Sequence, residues 1–527
     1  MAGAVPPDSL TRVDRVDGSG RRVLVLVATS LTAFTATLDN TVVAVALRDI
    51  QADLGAGVAQ LQGVVSAYTV ALAALLLTGG TLADVAGRRR VFMAGLAVFA
   101  AASAACALAD SSTWLIAARA VQGLGAALVL PGALAVLAAA YPEPGPRARA
   151  VGLWAATGAA ALVAGPVVGG LLVAAAGWPA VFWVNVPLCA VVATVVAFTP
   201  AGAPPARARR LDVPGQALAA VGLATGTYAV VLAGRDGLGM PVVVASLVAV
   251  TALVAFAVLE RRTPDPVLPL GLLRQRDFLG ATVGAFAASL AIFVLLVFLS
   301  LFLQLVQQRD ALASALRLLP LTVALVVTAP FAGRFAAARG ARRPVVVGLV
   351  LSALGVGLTG LRLDEAMPDA ELLVLLGGCG LGIGLATAPV VTAALNAVAR
   401  SRSGLAAATV NVARELGGVV AVAGLGALVV ARLGGDLLAR LLGLGVPGGS
   451  ADLLLEALLR GASQTEVLEL SGGKVPLDVL LRLRDAAEAS YVESVQLALV
   501  GAAVVLLAAA VFCARTLQAG VHQLNDA

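Results

Sequence analysis

Long apolar runs dominate this sequence and follow one another with only short polar breaks. A helix needs about 20 predominantly apolar residues to cross the hydrocarbon core of a bilayer. Because backbone amides in lipid must be satisfied within their own segment, such runs form helices. The sequence therefore predicts an all-α integral membrane protein with about fourteen spans. These spans are approximately 23–47, 60–83, 91–109, 114–138, 148–174, 179–199, 213–234, 240–259, 278–306, 314–335, 344–361, 371–398, 404–431 and 493–514.

Composition argues against several other classes of protein. The mean hydropathy is +0.98, and only 13% of the residues are charged. The basic residues are dispersed over interhelical loops, so we expect no nucleic-acid partner. The single histidine, His522, and four widely separated cysteines give no metal-ligand pattern. The single lysine, Lys474, lacks the glycines of a P-loop. We therefore expect no enzymatic activity, no cofactor and no bound metal.

Arginines accumulate in alternate loops. If the N-terminus is cytoplasmic, most arginines lie inside, and the short outer loops hold only Arg48, Arg235, Arg309 and Arg362. Short cytoplasmic loops collect Lys and Arg, so this asymmetry predicts an even number of spans with both termini inside the cell. The last two predicted spans are separated by residues 433–492, which are too polar to cross a membrane, and we expect this segment outside.

Two regions repeat at nearly the same offset. A shift of 253 residues takes Gly80 to Gly333, and a shift of 252 takes Gly152 to Gly404. Further pairs with these offsets are Gly87 and Gly340, Arg89 and Arg342, Arg90 and Arg343, Gly95 and Gly348, and Gly165-Pro166 and Gly417-Gly418. Two related halves are typical of transporters that rock around a site near the midplane. Chance is the alternative, because the chain has 57 glycines.

Asp39 is the first candidate functional residue. It lies about 24 Å from the inner end of the first predicted span, where burial of a carboxylate favours uptake of a proton. Arg119 lies in the outer half of the fourth span and is the expected partner. A carboxylate that exchanges between Arg119, a proton and a cationic substrate would couple their movements. A fixed structural ion pair is the alternative for both residues.

Arg414 and Glu415 form a second charged pair, about ten residues into the thirteenth span and so near the midplane. Adjacent residues on a helix point about 100° apart, so we expect their partners on other helices. Substrate binding or coupling and a structural pairing are equally compatible with this pattern.

Two further motifs indicate conformational switching. In the loop of residues 79–90, Asp84 and Arg88 flank Gly87 near two helix ends, where charge-assisted bonds can differ between two helix arrangements. In the fifth span, Pro166 frees a carbonyl and bends the helix, while Gly165 permits close approach of a neighbour. Simple close packing is the alternative for Gly165 and Pro166.

These residues resemble the motifs of the major facilitator superfamily, specifically its fourteen-span drug/proton antiporter family. The resemblance rests on residues 80–89, 38–43, 119–125 and 165–170, with 183–187 and 411–418 in agreement. In the family, the arginine of the fourth-span motif, here Arg119, is associated with proton coupling. The chain departs from the family pattern at Gly177-Trp178-Pro179-Ala180, where Trp-Arg-Trp is usual. It also has Ala337, without a carboxylate, at the position that corresponds to Asp84.

The resemblance implies two six-helix bundles plus an inserted helix pair. The corresponding layout is a cytoplasmic tail (1–22), an N-terminal bundle (23–199), a linker with two inserted spans (200–277), a C-terminal bundle that includes the outer segment 433–492 (278–516), and a second cytoplasmic tail (517–527).

The implied function is proton-coupled export of lipophilic drugs or antibiotics across a plasma membrane. The expected partners are a lipophilic small molecule, protons and the lipid bilayer. Alanine and arginine are frequent and lysine occurs once, which suggests GC-rich codons. We therefore expect a bacterial source. One alternative is an exporter dedicated to one endogenous antibiotic, peptide or siderophore. A less favoured alternative is a membrane receptor that uses residues 433–492.

Overall fold

The computed structural model describes residues 18–197, 212–236, 239–263, 266–309, 311–399, 402–429, 432, 435 and 477–518. Within these ranges every regular element is helical. Thirteen helices are long and apolar enough to cross a membrane, and a bent helix pair brings the number to fourteen. The prediction of an all-α membrane protein with about fourteen spans is therefore confirmed.

The N-terminal bundle contains seven helices that make six spans, because the short α6 and α7 together form the sixth. Their bounds are α1 Gly18–Leu54, α2 Val58–Ala86, α3 Arg88–Ala107, α4 Ser112–Ala140, α5 Pro144–Ala176, α6 Ala180–Trp183 and α7 Asn185–Ala197. α5 bends by 47° between Leu162 and Ala164. Pro166 cannot donate a hydrogen bond to the carbonyl of Leu162 four residues earlier, which accounts for the bend.

The inserted pair and the C-terminal bundle complete the fold. The inserted helices are α8 Val213–Asp236 and α9 Met240–Glu260, which pack against each other and, through α8, against α2. The C-terminal bundle comprises α10 Arg276–Leu301, α11 Ala311–Arg339, α12 Arg342–Arg362, α13 Asp369–Asn396, α14 Ser403–Val419 and, under our numbering, α15 Leu477–Thr516. π-helical turns at Phe302–Val306 and Val420–Gly424 extend α10 and α14.

Two helices begin before the spans predicted within them. α1 begins at Gly18, inside the predicted tail 1–22, and α15 begins at Leu477, sixteen residues before the predicted span 493–514. Hydropathy detects only the part of a helix that crosses lipid. The residues from Leu477 to Val492 contain no glycine or proline, so the helix continues beyond its apolar part. Most of the predicted outer segment 433–492 lies outside the described residues.

Equivalent contacts in the two halves support the internal repeat. Gly87 and Gly340, which end equivalent helices, both have positive φ, 98° and 85° respectively, a conformation that favours glycine. Gly80 on α2 lies against Gly404 on α14, and its counterpart Gly333 on α11 lies against the backbone of α5. The two bundles therefore meet through two related crossings, α2 with α14 and α11 with α5.

Candidate functional site

A buried ion pair connects α1 with α4 in the N-terminal bundle. Arg119 Nη1 donates to Asp39 Oδ2 at 2.6 Å, and both side chains are 0% exposed. The structure thus brings together the two residues that the sequence singled out for proton coupling. Removing one member of such a pair leaves the other charge buried and unpaired, which costs about 3–5 kcal/mol. Protonation of Asp39 creates the same imbalance unless Arg119 finds another partner.

Neutral polar side chains surround the carboxylate of Asp39. Gln122 Nε2 donates to Asp39 Oδ1 at 2.8 Å, and Asn185 Nδ2 donates to the same oxygen at 2.6 Å. Ser103 Oγ accepts hydrogen bonds from both amides, at 2.6 Å from Gln122 and 3.3 Å from Asn185. All of these side chains are fully buried. Asp39 therefore lies in a network built from α1, α3, α4 and α7, which holds its charged form in a fixed geometry.

Arg119 has contacts beyond Asp39. Its Nε donates to the carbonyl of Val64 at 3.2 Å, and its Nη1 also donates to Gln122 Oε1 at 2.6 Å. The guanidinium lies 4.4 Å from the ring centroid of Tyr68 and 5.8 Å from that of Phe182. Its Nη2 has no hydrogen-bond partner among the described residues. Two aromatic faces and one unused donor thus remain available to this cation.

A central cavity lies between the bundles and contains about 900 Å³ of empty space, including the part open to solvent. Its wall is formed by α1, α2, α4 and α5 on one side and by α10, α11, α13 and α14 on the other. Most lining residues are apolar, and the polar ones are Thr37, Asn40, Tyr68, Ser289, Thr387, Arg414 and Glu415. A mostly apolar wall with a few polar groups is typical of sites that bind lipophilic ligands.

Arg414 and Glu415 both line this cavity from α14. The Arg414 guanidinium lies 5.8 Å from the ring centroid of Trp154 on α5, which is the partner on another helix that we expected for it. The Glu415 carboxylate interacts electrostatically with Arg414 but forms no hydrogen bond among the described residues. The cavity therefore contains a carboxylate whose acceptor positions are free for a ligand.

Asp39 does not belong to the described wall of this cavity, although Thr37 and Asn40 do. On an ideal helix Asp39 points about 100° away from Asn40 and about 160° away from Thr37. The expectation that Asp39 itself would exchange between Arg119 and a cationic substrate therefore finds no direct contact in this arrangement. The buried ion pair is therefore separate from the cavity, and Tyr68 both contacts Arg119 and lines the cavity.

Asp84 caps the first turn of α14 across the bundle interface. Its carboxylate accepts from the backbone amides of Gly404 at 3.1 Å and Leu405 at 3.0 Å. Arg88 Nε lies 3.6 Å from Asp84 Oδ1. A helix N-terminus has free amides and a positive dipole end, so a carboxylate is well placed there. Gly87, with its positive φ, ends α2 and begins α3 between these two charged residues.

The bundles are held together at this same end by further contacts. Arg147 on α5 donates to Asn396 Oδ1 on α13. Gly404 approaches Gly80 so closely that an added Cβ would lie 2.6 Å from its carbonyl oxygen. The structure is therefore closed at the end that carries the α2–α3 loop. Asp84 lies twenty residues after Val64 on α2, so this closure is about 30 Å from the Asp39–Arg119 pair.

Gly165 and Pro166 lie where α5 crosses α1. A Cβ at Gly165 would collide with the side chain of Thr41, so only glycine permits this approach. The corresponding Gly417 packs in the same way against the backbone of Phe286 on α10. Close packing and the bend thus occur together at these positions, and their role in switching stays a prediction.

Sequence reasoning missed four residues of the site: Ser103, Gln122, Asn185 and Tyr68. Gln122 follows Arg119 by one helical turn, and Asn185 lies in a motif that resembles the family. A polar side chain in an apolar span is therefore a usable signal for both. Ser103 and Tyr68 carry no such signal, because serine and tyrosine are common in membrane helices for packing and interfacial reasons.

Comparison with known proteins agrees with this architecture. The family model described as Major Facilitator Superfamily matches residues 29–422. Multidrug resistance protein Stp of Mycobacterium tuberculosis is 36% identical over 417 residues, which cover 79% of this chain and 77% of that protein. Drug efflux pump JefA of the same organism is 32% identical over 504 residues, covering 93% and 97%.

A solved structure shares the fold at low sequence identity. The proton:xylose symporter XylE, bound to 6-bromo-6-deoxy-D-glucose, superposes with a TM-score of 0.58 at 13% identity, covering 86% of this chain and 99% of that one. At that identity the likeness concerns the fold alone. The matches in sequence over most of the chain, together with the two-bundle fold, show that this protein belongs to the Major Facilitator Superfamily.

Proposed function

We propose that this chain is a proton-coupled exporter of lipophilic cations, which include drugs and antibiotics, and that it works by alternating access. The observation that carries the proposal is the separation of a buried Asp39–Arg119 pair from an apolar cavity that contains Glu415. The similarity to proteins named for multidrug resistance and drug efflux supports export of such compounds.

The central cavity is the proposed substrate site. Its apolar wall accepts a lipophilic body, and the unpaired carboxylate of Glu415 attracts a positive group. Arg414 is held over Trp154 and limits how much negative potential the cavity presents. A neutral lipophile gains the apolar contact with the wall but not the attraction to Glu415. Cations should therefore bind more tightly than neutral compounds of equal size.

Asp39 is the proposed proton carrier and Arg119 its counter-ion. In the deprotonated state the carboxylate accepts bonds from Arg119, Gln122 and Asn185. Protonation removes its charge and weakens these bonds, which changes the balance between the helices that supply them. The proposed driving force is the proton gradient; the sequence lacks the lysine-containing loop with which P-loop proteins hold nucleotide phosphates, which leaves an ion gradient or a separate ATPase subunit as the energy source.

Asp84 and Arg88 are the proposed switch. The cap on α14 exists only while the bundles meet at this end, so it favours the closed state there. The arginine-rich loops support a cytoplasmic position for this end, in a plasma-membrane protein with both termini inside the cell. In the proposed cycle, a compound bound from the inside leaves outward, and a proton that enters from outside neutralises Asp39 for the return.

The test is transport in proteoliposomes with an imposed pH gradient. Radiolabelled tetraphenylphosphonium serves as the cationic probe, within a panel of amphipathic compounds. We expect gradient-driven transport by the native protein and its loss in Asp39→Asn. Transport that survives dissipation of the gradient, or that is unchanged in Asp39→Asn, contradicts the proposal. Transport of one compound alone from a broad panel would assign a dedicated exporter.

A further inference from the structure

We propose that Tyr68 is the positioning residue that couples occupancy of the central cavity to protonation of Asp39. This inference rests on the proposed function, because it explains how two separated sites in such an exporter can communicate. Of the five residues whose contacts with Arg119 the structure describes, Tyr68 is the one that also lines the cavity. Its side chain is 1% exposed.

The ring of Tyr68 supports the guanidinium of Arg119. The 4.4 Å distance between them is well within the range of a cation–π interaction, which is strongest when both groups are removed from water. The hydroxyl contributes less, because its distance to the carbonyl oxygen of Ala36 is 3.5 Å, at the limit for a hydrogen bond. The aromatic face is therefore the functional part of this side chain.

Protonation of Asp39 changes what Arg119 requires. Once the carboxylate is neutral, the guanidinium is a buried cation without a counter-ion, and its Nη2 is already without a hydrogen-bond partner in the described structure. The carbonyl oxygens of Val64 and Gln122 still accept from it, and the face of Tyr68 is the nearest aromatic source of negative potential to which it can move. The guanidinium moves towards the ring and displaces it towards the cavity.

A bound compound opposes that displacement, since the ring cannot move into occupied space. Cavity occupancy therefore disfavours protonation of Asp39, and protonation disfavours binding, by the reciprocity of linked equilibria. Exchange of a compound for a proton requires this mutual exclusion of the compound and the proton. No contact between the compound and Asp39 is needed.

The other ionisable groups near Asp39 and Tyr68 do not reverse this coupling, in which cavity occupancy disfavours protonation of Asp39. The thiols of Cys106 on α3 and Cys189 on α7 are close enough to interact electrostatically with Asp39, but both are buried and neutral. Glu415 on α14 interacts electrostatically with Tyr68 from across the cavity. A cation held by Glu415 adds repulsion towards Arg119 and so also disfavours the displaced arrangement.

The test measures proton release from purified protein in a weakly buffered solution with a pH-indicator dye. Tetraphenylphosphonium is added, and its binding is measured in parallel by equilibrium dialysis. The native protein and Tyr68→Phe, which keeps the ring, should release protons on binding. Tyr68→Leu and Tyr68→Met lack the ring and remove part of the cavity wall, so each variant is compared with the native protein per bound cation, at a tetraphenylphosphonium concentration that saturates it. Their proton release per bound cation should fall at least about tenfold.

A matched control is available in the other bundle. Tyr491 on α15 is also buried, and its hydroxyl lies 3.3 Å from the carbonyl oxygen of Phe298. Tyr491→Leu should release protons as the native protein does. Equal release per bound cation by Tyr68→Leu and the native protein overturns the inference alone. Loss of binding in both ringless variants overturns it in favour of a purely structural wall. A native protein that binds the cation without release overturns the proposed proton coupling as well.

Discussion

Replacement of Asp84 by alanine should open the end of the molecule at which the two bundles now meet. The Asp84 side chain is only 3% exposed and accepts from two backbone amides of the other bundle, at 3.1 and 3.0 Å. In the opposite conformation these partners separate, and both the carboxylate and the amides are satisfied by water. The substitution therefore acts mainly on the closed state.

The carboxylate of Asp84 makes two contributions to the free energy of the closed state, and these set the expected effect of Asp84→Ala. Loss of a side-chain cap costs about 0.5–2 kcal/mol, and a partly buried charge at a helix terminus is worth up to about 2 kcal/mol. Because these contributions overlap, we expect about 2 kcal/mol for Asp84→Ala, which is about a 30-fold fall in the ratio of closed to open molecules. Asp84→Asn keeps one acceptor without the charge and should have an intermediate effect.

Labelling of a cysteine introduced in place of Ser403 measures this ratio. Ser403 begins α14, is 5% exposed, and its Oγ has no hydrogen-bond partner among the described residues, so Ser403→Cys is a mild change. A membrane-permeant maleimide reaches this position only when the bundles separate. When opening and closing are fast, the labelling rate follows the open population. The four native cysteines are buried, and the protein that retains Ser403 provides the background.

The expected result is a labelling rate about 30-fold higher in Asp84→Ala than in its parent. Asp369→Ala is the matched control, because it removes an ion pair with Arg317, at 2.6 Å, that lies within one bundle. It should leave the rate unchanged. A change of less than about threefold in Asp84→Ala, or an equal change in the control, would refute a specific role of Asp84 in closure.

Three further substitutions test other parts of the site. Gly404→Ala places a Cβ 2.6 Å from the carbonyl oxygen of Gly80 and should destabilise the same closed end by about 1–3 kcal/mol. Its control is Gly377→Ala, whose added Cβ meets nothing within 4 Å. The cysteine at position 403 should react with the maleimide at the native rate in this control. Glu415→Gln should weaken binding of tetraphenylphosphonium about tenfold in equilibrium dialysis, with little effect on a neutral lipophile. Asn185→Ala removes one of the donors to Asp39 Oδ1 and should lower gradient-driven transport of tetraphenylphosphonium in proteoliposomes about tenfold.

Hydropathy and charge were sufficient to predict the fold and the principal ion pair. Spans are set by bilayer thickness, which is a property of the solvent rather than of tertiary packing. Asp39 and Arg119 stood out because charged side chains in lipid are costly and require each other. Helix ends beyond the lipid, such as the start of α15 at Leu477, are governed by breakers and propensity, and a hydropathy window does not detect them.

The orientation of each helix could not be predicted from the sequence. Thr37 and Asn40 face the central cavity while Asp39 faces the interior of its own bundle, and this depends on which neighbours α1 packs against. Helix rotation in a bundle is determined by small residues at crossings, such as Gly165 at Thr41, whose partners are distant in sequence. The separation of the Asp39–Arg119 pair from the cavity, and the position of Tyr68 in contact with both, therefore emerge only in three dimensions.

The first half has Asp84 where the second half has Ala337, and the first turns of the facing helices explain this difference. α14 begins at Ser403, so the amides of Gly404 and Leu405 lie in its first turn and are free to bond with Asp84. In the related crossing, Gly333 lies against Ala148, and residue 337, one turn further along α11, faces the first turn of α5.

That turn offers few free donors. Pro144 and Pro146 have no amide hydrogen, and the amide of Arg147 already bonds to the carbonyl of Glu143. A carboxylate at position 337 would therefore find fewer free amides than Asp84 does, which is consistent with alanine there. This crossing is instead reinforced by the side chain of Arg147, which reaches Asn396 on α13. The same end of the molecule thus carries an anionic cap between α2 and α14 and a guanidinium–amide bond between α5 and α13, so loss of Asp84 weakens the closed end without removing all of its contacts.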